Sequence, residues 1–195
     1  YQNRDDLLLI RCAPETLIAG LWTRNYFPAA PVILAKAHQA KGRARYLLIN
    51  SGNANAATGD AGLEDARRCC QAVADAEGID VSMVLPFSTG VIGERLPVER
   101  FQASAESLLA GLGTKTWLDA ANAIMTTDTR QKIACRAVRF GSGVIKLTGI
   151  AKGAGMIQPN MATMLCFIGC DAKVQQETLQ DMLRAATDLS LNRIT

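Results

Sequence analysis

The chain has 195 residues, 49% of them hydrophobic, 20% charged and 5% aromatic, which excludes disorder, collagen and coiled coil. Its 21 Lys and Arg against 18 Asp and Glu leave a net charge of +3, spread along the chain without a basic run, which argues against nucleic-acid binding. A chain of this length builds one folding unit, or two small ones, around a core of its own.

Short apolar runs predict strands at 7–10 (LLLI), 46–50 (YLLIN), 83–87 (MVLPF), 143–147 (GVIKL) and 163–168 (TMLCFI). Between them the spacing turns helical. A helix is predicted over 62–77, with Leu63, Ala66, Cys70, Val73 and Ala74 on its buried stripe, Glu64, Asp65, Arg68 and Asp75 on its solvated side and Gly78 as its stop. A second follows Pro97 and carries Phe101, Ala105, Leu108 and Leu109, and a third spans 117–125. A last one places Leu179, Met182, Leu183, Ala186 and Leu189 on a core-facing stripe. Over 132–138, Ile133, Cys135 and Ala137 alternate with Lys132 and Arg136, as in a half-exposed antiparallel strand. The predicted fold is therefore α/β or α+β, a mixed, partly antiparallel sheet layered with helices. No repeat or linker divides it.

The longest uncharged stretch, 153–170, is broken by Gln158, Pro159, Asn160 and glycines, so no membrane span is expected. The opening YQNRDD has neither an initiator Met nor an apolar leader, so the sequence reads as beginning inside a longer gene product, with a cytoplasmic location expected. Cysteines at 12, 69, 70, 135, 166 and 170 form no Cys-x-x-Cys pair, and there is one histidine. All six are read as reduced, small buried hydrophobes, and no metal site is expected.

Four polar, glycine-containing segments follow apolar runs: NSGNANAATGDAG (50–62), STGVIGE (88–94), MTTDTRQK (125–132) and GIAKGAGMIQPNMATML (149–165). His38, in AKAHQAKGRAR, reads as a surface residue at a helix end, so a histidine-based triad is disfavoured. GxxxxGK[ST] is absent, which removes the phosphate-loop reading. A hydroxyl nucleophile whose base is its own α-amine remains open, because an amine freed by peptide cleavage titrates near 7.7–8.0 and can take the hydroxyl proton. Thr163 is the candidate, although a Thr before MLCFI carries little weight alone.

In this order and at this spacing, GIAKGAGMIQPNMATML, NSGNANAATGD, STGVIGE and MTTDT resemble the ornithine acetyltransferase family of arginine biosynthesis, whose bifunctional members also make N-acetylglutamate. The resemblance spans essentially the whole chain. It implies an N-terminal-nucleophile-like acyltransferase fold and a self-cut between Ala162 and Thr163, dividing an α part (1–162) from the start of a β part (163–195) within one folding unit. It further implies acetyl transfer from N-acetylornithine to glutamate through an acetyl-Thr163 ester, with Thr89 and Gly90 stabilising the oxyanion and Thr126, Lys152 and Thr163 binding substrate. Thr127 is an adjacent alternative to Thr126. No cofactor is implied, acetyl-CoA being an alternative acetyl donor. The implied partners are the rest of the β chain, in an α2β2 heterotetramer, with no nucleic acid or membrane. Asn50 and the run 52–55 read as turn-forming residues without a catalytic role. Three rivals stay open: an amidohydrolase or aminopeptidase with the same nucleophile, a non-catalytic assembly half, and a ligand-binding module.

Overall fold

The computed structural model describes residues 5–141, 143–153 and 164–193. In chain order its elements are β1 (Leu7–Arg11), α1 (Ala30–Gln39), β2 (Tyr46–Asn53), α2 (Gly59–Glu77), β3 (Val84–Val91), α3 (Val98–Ala110), α4 (Trp117–Ala123), β4 (Lys132–Phe140), β5 (Gly143–Lys152), β6 (Leu165–Cys170) and α5 (Gln176–Leu189). The class is α/β, as expected from the alternation of apolar runs and helical spacing.

The apolar run of β2 has a use for both its faces. Tyr46 and Leu48 point into one cluster, with Leu34 of α1, Cys69, Cys70 and Val73 of α2, and Phe101 of α3. The intervening Leu47 and Ile49 point the other way, toward Ala121 and Ile124, Ile150 of β5 and Phe167 of β6. A strand buried on both sides needs no polar alternation, which is why YLLI reads as a continuous run. β2 lies at the centre of a three-stranded sheet, antiparallel to β1 and parallel to β3. Helices α1 to α3 cover one face of that sheet.

β4, β5 and β6 form a second, wholly antiparallel sheet in that order. It meets the first where Phe87 of β3 packs edge-on against Phe167 of β6, ring centroids 5.0 Å apart. Around this contact Leu47 and Ile49 of the first sheet share a core cluster with Ile150 and Leu165 of the second.

Five side-chain expectations are corrected. His38 is buried, its Nδ1 2.7 Å from the Val84 carbonyl oxygen, and since a carbonyl only accepts, Nδ1 carries the proton. It falls on the inner stripe of α1 with Pro31, Leu34 and Ala35. Of the basic residues around it, Lys36 is on the exposed side of α1 and Lys41, Arg43 and Arg45 follow the helix end. Asp65 is also buried rather than solvated: Arg95, from the segment after β3, grips its carboxylate with Nε and with a second nitrogen at 2.7 Å.

The stripe of α5 is not core. Met182 and Leu189 are 57% and 67% exposed, and among the described residues none of α5 joins either core cluster; Gln176 and Gln180 tie the helix to the carbonyls of Ile18 and Gly20. β4 is exposed on both faces rather than one, since no layer covers either side of it among the described residues. The cysteines also divide. All six are free; Cys69 and Cys70 are buried, Cys12 and Cys166 half-buried, Cys135 and Cys170 exposed. Burial, aided by the nearby Asp65 charge, pushes the Cys69 thiol up to about 12, and burial raises Cys70 as well, so both are packing groups rather than nucleophiles.

Among the described residues no helix is long and apolar enough to cross a membrane.

Candidate active site

The parallel pairing of β2 and β3 runs past their apolar residues into their polar ends. Ser51 lies opposite Thr89 and Gly52 opposite Gly90. STG is therefore strand, not the turn its composition suggests. The backbones approach so closely that a Cβ on Gly90, at φ 140°, would sit 2.1 Å from the Gly52 carbonyl carbon and 2.4 Å from the Asn53 nitrogen. No side chain fits between them, and glycine alone accepts that φ without strain.

The neighbouring asparagines hold this end of the sheet in place. Asn50 donates to the Asn53 carbonyl at 2.8 Å, Asn53 to the carbonyls of Glu94 and Arg95, and buried Asn55 to the Gly62 carbonyl at 2.8 Å. All four bonds go to backbone, but Asn50, Gly52 and Asn53 lie in β2 rather than in a turn, and of the three asparagines only Asn55, at φ 46°, has a left-handed backbone. Ser51 Oγ donates to the Ala123 carbonyl at 2.6 Å, fastening β2 to the end of α4 just before the threonine loop.

On the other side of the seam, Lys152 ends β5 with its side chain buried against the first sheet. Its ammonium donates to Thr89 Oγ1 at 3.0 Å, joining residues 63 apart in sequence. That bond fills an acceptor position on the hydroxyl and leaves the Thr89 O–H free to donate elsewhere. Burial lowers the Lys152 pKa, Asp128 works against that effect, and Lys132 adds to it.

The loop 125–131 reaches the same place through a residue that sequence reasoning passed over. Asp128 is buried, and its carboxylate collects three donors: the Lys132 ammonium and the Gly153 N–H at 3.0 Å on Oδ1, and the Thr126 N–H at 3.4 Å on Oδ2. Burial alone would raise its pKa. The bonds from Lys132, Gly153 and Thr126 outweigh that and hold the carboxyl below its usual range. Thr126 is half-buried beside this clamp, and Thr127 is exposed. The sequence carried one weak sign of Asp128, its i,i+4 spacing to Lys132, in a segment otherwise polar enough to pass for a solvated loop.

Ala162 and Thr163 lie outside the described residues. The described chain resumes at Met164 and enters β6 at Leu165, which pairs with Lys152. Of the six expected positions, Thr89, Gly90, Lys152 and Thr126 thus gather where the ends of β3 and β5 meet the threonine loop. Among the described residues no group of three or more His, Cys, Asp or Glu is arranged to hold a metal ion.

The family model for ArgJ matches residues 1–195, the whole sequence. The chain belongs to the ArgJ family. It is 53% identical over 193 residues to the arginine biosynthesis bifunctional protein ArgJ of Pseudomonas syringae pv. tomato, an alignment covering 99% of this chain and 47% of that protein. With the protein of the same name from Methylococcus capsulatus it shares 49% identity over 195 residues, 100% of this chain and 48% of the relative. The chain thus spans about half the length of these ArgJ relatives. Among solved structures, that of the arginine biosynthesis bifunctional protein argJ from Bacillus halodurans matches with a TM-score of 0.70 at 34% identity, covering 83% of this chain and 85% of that one. The structure of ornithine acetyltransferase complexed with ornithine from Mycobacterium tuberculosis matches with a TM-score of 0.68 at 35% identity, covering 78% and 81%. The two-sheet arrangement is that of ArgJ structures.

Proposed function

We propose that the full-length protein transfers the acetyl group of N-acetylornithine to glutamate, through an acetyl ester on Thr163 formed after the chain has cut itself between Ala162 and Thr163. The observation that carries this reading is the bond from Lys152 to Thr89, which places a cation and a free hydroxyl donor beside the strand pair that leads into Thr163. The name of the ornithine complex among the structural relatives adds the substrate class.

In the cut, the Thr163 hydroxyl attacks the Ala162 carbonyl, the C–N bond breaks as the acyl group moves to oxygen, and water hydrolyses the resulting ester. Residues 1–162 then form the α part and 163–195 begin the β part. The freed α-amine takes the hydroxyl proton as Oγ attacks the acetyl carbon of N-acetylornithine. The tetrahedral oxyanion receives the Thr89 O–H, turned outward by Lys152, and the Gly90 N–H. Its collapse expels the ornithine amine, which takes up the proton, and leaves the acetyl ester. The glutamate amine attacks that ester through a second oxyanion of the same kind and regenerates Thr163. Loss of one oxyanion donor typically slows such a reaction by about 10²–10³. Lys152 and Thr126 bind the amino-acid substrate. No cofactor takes part, and acetyl-CoA is an alternative acetyl donor, tested by omitting N-acetylornithine.

The remainder of the β chain packs, in this reading, on the exposed apolar residues of β4 to β6 and α5, in an α2β2 assembly. The free cysteines suit a reducing cytoplasm.

In the full-length protein, Thr163→Ala abolishes both cutting and acetyl transfer. Intact mass before and after incubation with N-acetylornithine checks it: the wild type gives two chains, the one beginning at Thr163 heavier by an acetyl group after incubation, and the variant gives one unmodified chain. Survival of either activity in the variant overturns the mechanism. Product analysis with and without glutamate separates transfer from hydrolysis.

A further inference from the structure

We propose that Asp128 is a positioning residue that locks the threonine loop to the end of β5 and sets the charge environment of Lys152. The proposal rests on the reading of Lys152 and Thr89 as site residues.

The loop 125–131 is tied to Asn122 at its two ends, through the Met125 N–H and the Gln131 side chain, while Thr127, Thr129 and Arg130 between them are exposed. Asp128 alone turns fully inward, its side chain 0% exposed. A carboxylate buried that deeply is retained only if its oxygens are filled by donors. Here the donors come from three separate places: Thr126 within the loop, Lys132 at the start of β4, and Gly153 immediately after Lys152. One carboxylate therefore fixes the backbone of a substrate-binding candidate relative to the backbone that carries Lys152, whose own far end is fixed on Thr89. Displacing Asp128 moves both at once.

The same arrangement is electrostatic. Among the described residues, the charged groups acting on Lys152 are Asp128, which favours its ammonium form, and Lys132, which opposes it. Thr89, facing it from β3, is neutral. Asp128→Asn keeps the volume and an oxygen for the Gly153 N–H but removes the charge, leaving Lys132 uncompensated. Lys132→Met removes the opposing cation and leaves Asp128.

A purely structural clamp and a charge-setting one differ in a measurable way. In the full-length protein, acetic anhydride labelling of the Lys152 amine as a function of pH, read by mass spectrometry, gives its titration midpoint directly and without turnover. Asp128→Asn is expected to move the midpoint down and Lys132→Met to move it up, with the alkaline limb of the kcat/KM profile following in the same two directions. Asp128→Asn also lowers kcat/KM by up to about 100-fold through misplacement of the loop. Midpoints that stay put, or that move together, overturn the proposal, even if activity falls. Wild-type protein that transfers no acetyl group overturns the functional reading instead, while the labelling still decides the role of Asp128. Lys132→Gln, which keeps a donor for Asp128 while removing the charge, is the second variant: it too is expected to move the midpoint up, so the test survives a failure of the Asp128 or Lys132→Met variant to fold.

Discussion

The two sheets of this chain are both rich in apolar residues and meet very different fates. In the first, Tyr46, Leu48, Ile49, Val84 and Leu85 are all 2% exposed or less, because helices cover one face and α4 with the second sheet covers the other. In the second, Ile150 and Phe167 at the seam are buried, but Val138, Phe140, Val144 and Ile168 are 50% to 76% exposed. One sheet has both faces covered within these residues. The other has a finished edge against the candidate site and an open apolar surface beyond it, in a chain that spans about half the length of its relatives. The candidate site belongs to the junction: Thr89 and Gly90 stand on the covered sheet, Lys152 on the open one.

The largest expected effect tests that junction. Gly90→Ala in the full-length protein places a methyl group inside the Gly52 backbone at a φ that disfavours it. Conformational strain alone costs about 1–3 kcal/mol, and separation of the two strand ends adds to it. The variant is expected to accumulate poorly and to lose acetyl transfer, measured by yield and by urea unfolding. Next comes the covered sheet, where Leu85→Ala leaves a cavity costing about 2–5 kcal/mol by the same unfolding measurement.

A smaller effect sharpens the contrast. If the open face is covered in the full-length protein, Ile168→Ala costs at least about 1 kcal/mol there despite its exposure in these residues, whereas a change within about 0.5 kcal/mol means that the face meets only water. The smallest effect is read in acid. The folded-state pKa of Asp128 lies below its unfolded value, so the carboxylate stabilises the protein fully above the unfolded pKa of about 3.9 and loses that contribution as the pH falls through the folded value. The stability difference between wild type and Asp128→Asn is therefore expected to be full at pH 7 and to shrink in the acid range, as followed by urea midpoints.

What the sequence revealed follows the same division. β2, α2, α3 and α4 were readable because each spends its periodicity on a core present in these residues. The stripe of α5 has sound helical periodicity too, but periodicity reports which face is apolar, not whether anything lies against it. His38 and Asp65 were misplaced for the opposite reason. Their polar neighbours suggest solvent, while the partners that bury them, Val84 and Arg95, come from 46 and 30 residues away. The candidate site was legible as motifs but not as a geometry. Thr89, Gly90, Thr126 and Lys152 came from resemblance, whereas the Lys152 bond to Thr89 and the Asp128 clamp depend on how two sheets abut, which local pattern does not encode.

The antiparallel pairing of β5 with β6 runs continuously from Leu147 with Cys170 to Lys152 with Leu165, on either side of the proposed scissile bond. Severing the connection between two such strands removes a covalent link without removing a single rung of the ladder. The fragments would therefore migrate as two species on a denaturing gel and elute as one particle from a sizing column, and only unfolding would part them.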